Sequence, residues 1–334
     1  MGLNALFEND VPVFLAPMSG VTDAPFRKQV LRFGAKAAIT EMVAGEELIR
    51  GLRDAETRLK PSGQAGGLHI VQLVGREAEP LRLASELAAQ SGADVIDINM
   101  GCPSRRVTGG LSGSALMRDL DHAERLIEAV LEGAGRVPVT LKMRMGWDWK
   151  SVSAPELAAR AERLGVQMIT VHGRTRQDFY EGAANWPAIR EVKSSVSIPL
   201  IANGDIVDFA TAQSALRQSD ADGVMIGRAA TGRAWLIADI EARLNNRSLN
   251  RPSFARQMDS LLEQASDSID LYGLRIGSRM VRKHLSAAFD YWVDQGFVDA
   301  GKLDVKKEVL SAQDCTELTS AFEKIEYRAA EFAA

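Results

Sequence analysis

Cysteine is nearly missing from this chain of 334 residues: Cys102 and Cys315 are the whole complement, and they lie far apart. Two thiols cannot build a disulfide scaffold or a multi-cysteine metal site, and no metal is assigned. Long apolar runs are lacking too. None approaches the roughly 20 residues that span a bilayer, so no membrane partner is expected. Residues 1–14 carry no basic-then-apolar-then-small leader pattern, and Leu6 stands where a myristoylation signal needs Ser or Thr. The cytoplasm is the expected address. A surplus of positive charge is also absent, since 40 Lys and Arg face 44 Asp and Glu, a net −4. Composition by itself therefore speaks mildly against a nucleic-acid partner, which would need a local basic surface.

What is present is the composition of a packed globular protein, 46% hydrophobic and 25% charged, so a sizeable core is expected and disorder is not. The length suits one large barrel with a smaller appendage. Short apolar, β-branched runs occur at Val13–Pro17, Ala37–Thr40, His69–Leu73, Val95–Asn99, Val139–Met143, Met168–His172, Pro199–Ala202 and Gly223–Ile226. Helical spacing of apolar residues separates them at Glu77–Ser91, Ser114–Leu131, Ala154–Leu164, Trp186–Ser194 and Phe209–Arg217. This alternation implies parallel strands buried on both faces. Eight such units favour a closed (β/α)8 TIM barrel, with an open doubly wound sheet as the competing arrangement. Gly63–Gly67 reads as a loop. At Asn245–Pro252 the pattern dissolves into polar turn-formers, and no further strand follows. Phe254–Tyr272, Leu274–Phe289 and Cys315–Phe332 have helical spacing, with Ser253 and Asp314 available as N-caps. The expectation is an α/β barrel domain over residues 1–245 and a C-terminal α-helical bundle domain over 246–334.

In such barrels the chemistry lies at the C-terminal ends of the strands. Here all eight ends are polar or special: Met18-Ser19-Gly20, Glu41, Gln72, Asn99-Met100-Gly101-Cys102, Lys142-Met143-Arg144, His172-Gly173-Arg174, Asn203-Gly204-Asp205 and Gly227-Arg228. Gly204, Gly227 and Arg228 fall where barrels hold a phosphate through backbone amides, and a guanidinium fork suits its oxygens. Tight turns alone would also explain the glycines. A Lys at a strand end over the mouth needs an anionic partner, and a reduced flavin, with negative charge near N1 and O2, supplies one. A snorkelling Lys142 is the bland alternative. Gln72 and Asn99 offer paired donors and acceptors to a flat heteroaromatic edge, and His172 can donate to the same ring or to substrate. Cys102 sits in a Gly-flanked, basic loop that suits a mobile lid. No activating His or Asn is evident, so it reads as a thiol acid rather than a thiolate nucleophile. Cys315 reads as a small hydrophobe.

With these residues assembled, the chain resembles the tRNA-dihydrouridine synthase family, most of all its bacterial B-type branch. The resemblance runs from Ala16-Pro17-Met18-Ser19-Gly20 through Thr40-Glu41-Met42, Gln72-Leu73, Asn99-Met100-Gly101-Cys102-Pro103, Leu141-Lys142-Met143-Arg144, His172-Gly173-Arg174-Thr175, Ala202-Asn203-Gly204-Asp205 and Ile226-Gly227-Arg228. It implies an FMN-containing barrel and a helical domain that holds tRNA. It implies that Pro17, Met18, Ser19, Gln72, Lys142, Asn203, Gly204, Asp205, Gly227 and Arg228 contact FMN, with His172 grouped among them, and that Cys102 is the proton donor. Ser19 stands where the family more often has Ala, a change compatible with a backbone contact. Glu41, Asn99, Arg144 and Arg174 are assigned to the substrate, as are Arg279, Arg282 and Lys283. With Arg275 these last three recur at spacings of four, three and one, which places most of them on one face of a helix, a stripe suited to RNA phosphates. The C-terminal third carries the resemblance only weakly, through Arg282-Lys283-His284.

The expected activity is reduction of specific tRNA uridines to 5,6-dihydrouridine, with NADPH or NADH as a transient reductant, in a monomer. No dinucleotide fingerprint is present, consistent with transient docking of that reductant. Three rivals share the motifs. A flavin oxidoreductase of a small dihydropyrimidine or dihydroorotate would not need the basic helices. A non-catalytic RNA-binding barrel would be colourless. A Schiff-base aldolase would be trapped at Lys142 by borohydride.

Overall fold

A computed structural model describes residues 2–62, 66–299, 301 and 303–332. Of the expected loop Gly63–Gly67, residues 63–65 lie outside the described residues, as do 300, 302, 333 and 334 of the helical segment. The strands are β1 (Val13–Leu15), β2 (Ala37–Ile39), β3 (Val43–Ala44), β4 (Leu68–Val74), β5 (Val95–Met100), β6 (Val139–Arg144), β7 (Met168–His172), β8 (Leu200–Asn203) and β9 (Gly223–Ile226). All pairings are parallel, in the order β2-β1-β9-β8-β7-β6-β5-β4, and β2 pairs with β4, Ala37 facing Leu68 and Ile39 facing Ile70. That pairing closes a barrel, so the open sheet is excluded. The additional strand β3 is two residues long and lies along β4, Val43 facing Leu73.

Closure follows from apolarity on both faces of the strands. Phe14, Ile39, Ile70, Val95, Met168, Ile201 and Met225 fill the lumen, and Leu3 and Leu6, beside a short 3-10 turn, join them at its N-terminal end. The helices are α1 (Ala24–Arg32), α2 (Gly45–Ile49), α3 (Arg53–Leu59), α4 (Ala78–Gln90), α5 (Arg105–Thr108), α6 (Leu120–Ala134), α7 (Ala154–Leu164), α8 (Trp186–Lys193), α9 (Phe209–Ser219) and α10 (Leu236–Leu244), followed by α11 (Phe254–Tyr272), α12 (Leu274–Asp294), α13 (Leu303–Ser311) and α14 (Cys315–Phe332). The helix expected over Ser114–Leu131 is two elements, a 3-10 segment at Gly113–Arg118 and then α6. Asp119 leaves the helical region and accepts from the His122 amide, so it caps α6 and ends what precedes. The helix expected over Leu274–Phe289 runs on to Asp294. No strand follows β9 among the described residues.

Helices α11–α14 enclose their own apolar cluster around the buried Trp292, whose Nε1 donates to Gln257 Oε1 at 2.8 Å. They also reach the barrel: Ser260 Oγ donates to Gln29 Oε1 at 3.0 Å, and Lys28 pairs with Asp267 at 2.7 Å. The half-exposed ion pair adds little stability, and the buried hydrogen bond fixes the register of α11 on α1.

Candidate active site

The C-terminal strand ends surround a cavity of about 1270 Å³. Every residue assigned to the cofactor from sequence lines it, together with Asn99, Cys102 and Arg144. Glu41, Arg174, Arg279, Arg282 and Lys283 do not.

The Cys102 loop hangs from a chain of buried polar groups. Thr140 Oγ1 donates to Asp97 Oδ1 at 2.7 Å, and Gln72 Nε2 donates to Asp97 Oδ2 at 2.7 Å. Asn99 Nδ2 donates to Gln72 Oε1 at 2.8 Å, and Asn99 Oδ1 accepts the amides of Gly101 and Cys102 at 3.1 and 2.9 Å. Parallel pairing of β4, β5 and β6 sets Gln72 opposite Asp97 and Asp97 opposite Thr140, so strand register builds the chain. Asn99 is therefore turned to the backbone of the Cys102 loop rather than offering its carbonyl to a ligand. Burial pushes Asp97 up to about 6, against its hydrogen bonds from Gln72 and Thr140 and the nearby Lys142. Past Cys102 the chain makes the short α5, and Ser114 returns both its amide and its hydroxyl to the Cys102 carbonyl. Burial raises the Cys102 thiol, against the Ser104 amide and the Arg144 and Lys142 charges, so it stays protonated at neutral pH.

Lys142, opposite Asn99 in the β5–β6 pairing, points its Nζ to Asn203 Oδ1 at 2.9 Å. That neutral acceptor is its one hydrogen-bond partner among the described residues. Burial pulls its pKa down to about 8, with Asp97 opposing. An ammonium so placed calls for an anion. His172 is held well below its ordinary pKa by burial and then by the surrounding Lys142, Arg144, Arg174 and Arg228 cations. Its Nε2 lies 3.2 Å from Arg174 Nη1, which can only donate, so Nε2 accepts and the proton sits on Nδ1.

On the opposite side, Asp205 adopts a positive φ of 53° and accepts from Arg174 Nη2 at 2.6 Å and Arg228 Nη2 at 3.2 Å. Arg174 is 2% exposed and spends its fork on Asp205 and on the Glu181 and Gly182 carbonyls. It thus braces Asp205 and the loop after β7, and does not face the cavity as the sequence suggested. Arg144 also ties down loops, donating to the Gly101, Thr175 and Phe179 carbonyls. Arg228 stays two-thirds exposed, and the amides of Gly204, Asp205, Gly227 and Arg228 make no backbone hydrogen bond among the described residues. A Cβ on Gly204 would approach the His172 ring to 2.8 Å. The side chains there leave room only for glycine.

The basic stripe divides. Arg275 and Arg279 on α12 are exposed, Arg282 is half-buried, and Lys283 Nζ donates to the Gly20 carbonyl. Glu41 is 5% exposed and accepts the Gly20 amide. Glu41 and Lys283 thus grip the two peptide groups on either side of Gly20, in the loop after β1, instead of facing solvent. Sequence reasoning passed over Tyr180, which lines the cavity with the Arg144 and Arg228 guanidiniums 5.5 and 5.6 Å from its ring, and Arg233, which also lines it. It also passed over Met42, Glu46, Glu47 and Arg58 on the rim. Of these only Met42 stood in a recognisable motif.

The family model described as Dihydrouridine synthase (Dus) matches residues 14–322. A protein of Rhodobacter capsulatus named a probable tRNA-dihydrouridine synthase is 48% identical over 306 residues, covering 91% of each chain. A Proteus vulgaris protein named tRNA-dihydrouridine synthase B is 40% identical over 272 residues, covering 81% of this chain and 84% of that one. Among solved structures, an old yellow enzyme homologue from Zymomonas mobilis is similar with a TM-score of 0.50 at 15% identity, covering 75% of this chain and 96% of that one. That likeness concerns the barrel fold. No helix among the described residues is long and apolar enough to cross a membrane.

Proposed function

The chain belongs to the dihydrouridine synthase family, and from that footing we propose that it reduces particular uridines of tRNA to 5,6-dihydrouridine, using FMN at the barrel mouth and NADPH or NADH as the transient reductant. The residues of the mouth suit FMN. Lys142 is a half-buried cation whose one hydrogen-bond partner among the described residues is a neutral amide oxygen, and the amides of Gly204, Asp205, Gly227 and Arg228, which make no backbone hydrogen bond among the described residues, would with the Arg228 fork cradle a phosphate. Pro17, Met18, Ser19, Gln72, His172 and Asn203 would flank the ring. Bound and reduced, FMN supplies the hydride that adds at uracil C6, a carbon made electrophilic by conjugation to the C4 carbonyl.

The chain's own part is to place an acid and to shape the slot. Cys102 holds its proton through neutral pH because burial raises its pKa, and delivers it to C5, where the adding hydride leaves carbanion character. Asn99, through the Gly101 and Cys102 amides, fixes where that thiol sits. His172, neutral and protonated on Nδ1, offers a donor without adding positive charge. The uridine must leave its stack to enter the cavity. Arg275 and Arg279 present charge on the outer face of α12 for phosphates of the RNA, with residues 246–334 as the RNA-holding part. The observation that carries this reading is the shared cavity of Cys102 and Lys142 in a chain matching the family over residues 14–322. Mapping of dihydrouridine in tRNA from cells with and without the protein tests it. Particular sites should revert to uridine when it is absent, and an unchanged map would end the proposal.

A further inference from the structure

His284 of α12 is 2% exposed and touches two loops at once. The Gly232 amide lies 3.3 Å from its Nδ1, and because an amide only donates, Nδ1 is the acceptor. The ring proton then sits on Nε2 and is donated to the Val21 carbonyl at 3.2 Å. Burial, with Lys283 nearby, holds the imidazole pKa down to about 3, so this neutral form persists across the physiological range. Phe26 packs on the ring with centroids 4.3 Å apart. Gly232 has φ +71°, and a Cβ there would come within 2.5 Å of the His284 carbonyl and the Ala288 amide, so α12 lies directly against this loop.

One position earlier, Lys283 Nζ donates to the Gly20 carbonyl while the Gly20 amide donates to Glu41. Gly20 is thus held on both sides, at its amide and at its carbonyl, by charged groups, which makes both hydrogen bonds the strong, charge-assisted kind. Gly20 and Val21 belong to a tight turn of which Met18, Ser19 and Val21 line the cavity: the Val21 and Thr22 amides donate to the Met18 carbonyl at 3.0 Å, and the Met18 amide donates to Thr22 Oγ1 at 2.9 Å. Gly232 closes the loop that begins with Gly227 and Arg228.

We propose that Lys283 and His284 are positioning residues of the cofactor site, fixing from the helical segment the two cavity-wall loops, 17–22 and 227–232, that bracket the flavin. This rests on the FMN reading above. The helical segment then completes the cofactor pocket as well as meeting RNA, and the Arg282-Lys283-His284 run has a role distinct from the outward Arg275 and Arg279.

The test is titration of flavin-free full-length protein with FMN, followed by quenching of flavin fluorescence, for Lys283→Met, Lys283→Arg and His284→Phe. The phenyl ring keeps the packing on Phe26 and loses both hydrogen bonds. Lys283→Met and His284→Phe should each weaken FMN about tenfold, the weight of a charged or fully buried hydrogen bond, and shift the visible absorption of the bound flavin. Lys283→Arg should recover most of the loss. Melting temperatures of the flavin-free variants are measured alongside. FMN affinity within twofold of the parent, with an unshifted spectrum, overturns the proposal, whatever happens to the melting temperature. If His284→Phe fails to fold, Lys283→Met, at a half-buried position, decides alone. Failure of the parent protein itself to bind FMN would instead strike the flavin reading.

Discussion

On one wall of the cavity, the loop carrying Cys102 is held by Asp97, Gln72, Asn99 and Thr140, all on adjacent strands of the barrel. On the facing wall, the loop after β1 is held by Lys283, 263 residues away along the chain. The first wall is rigid because strand register places its polar groups in sequence and each meets a partner. The second depends on the docking of a separate helical layer. On the proposed function, chemistry that must be exact in position is thus built into the barrel, and the wall proposed to hold the cofactor is left open to whatever α12 does.

Substitutions separate the two walls. The largest effect is expected for Cys102→Ala: tRNA turnover should fall by about 10²–10⁴-fold, the range for loss of a general acid, with FMN content and its reduction by NADPH unchanged. Stopped-flow flavin reduction beside tRNA assays checks this, and equal loss of both half-reactions would break the division of labour. Lys142→Met should weaken FMN by roughly a hundredfold or more, because one partner of a buried charge pair is removed; titration of the flavin-free protein measures it. Asn99→Leu strands Gln72 Oε1 and the Gly101 and Cys102 amides, and should cost about 2–4 kcal/mol in urea unfolding. Its turnover should fall more than its FMN affinity. Arg275→Glu with Arg279→Glu should weaken tRNA binding about tenfold at low salt, the difference shrinking as salt rises, with flavin reduction untouched. The smallest effect is on pH. Lys142 in the flavin-free protein loses its charge as pH rises through about 8, so FMN affinity should hold below that value and decline above it. An affinity flat to higher pH would remove Lys142 from anion binding.

The walls also differ in how far the amino-acid sequence discloses them. The strand runs were visible because barrel strands are buried on both faces and read as unbroken apolar stretches; β3, only two residues long, has no such signature. The break at Asp119 was missed, although an Asp ahead of an apolar-periodic stretch is a start signal, and α1 was missed in spite of Asp23 and Pro25 at its start. In the site, Asn99 and Cys102 stood out because they share one short motif. Gln72, on the neighbouring strand, and Asp97, two residues before Asn99 on the same strand, complete the chain, and alternation makes them nearly as readable. The grip of Glu41 and Lys283 on Gly20, and of His284 on Val21 and Gly232, joins segments that no periodicity relates, and charged side chains on a helix ordinarily read as a solvated face. Arg174 misled for a related reason: an Arg at a strand end was read as facing a ligand when five protein acceptor atoms already surround it.

All of these expectations meet at the shared slot between a flavin and the Cys102 thiol. Titration of the purified, flavin-free chain with FMN tests that slot most directly. The account predicts saturable uptake of one FMN per chain, with quenched fluorescence and a yellow protein. A chain that stays colourless and leaves the fluorescence of added FMN unchanged would contradict it.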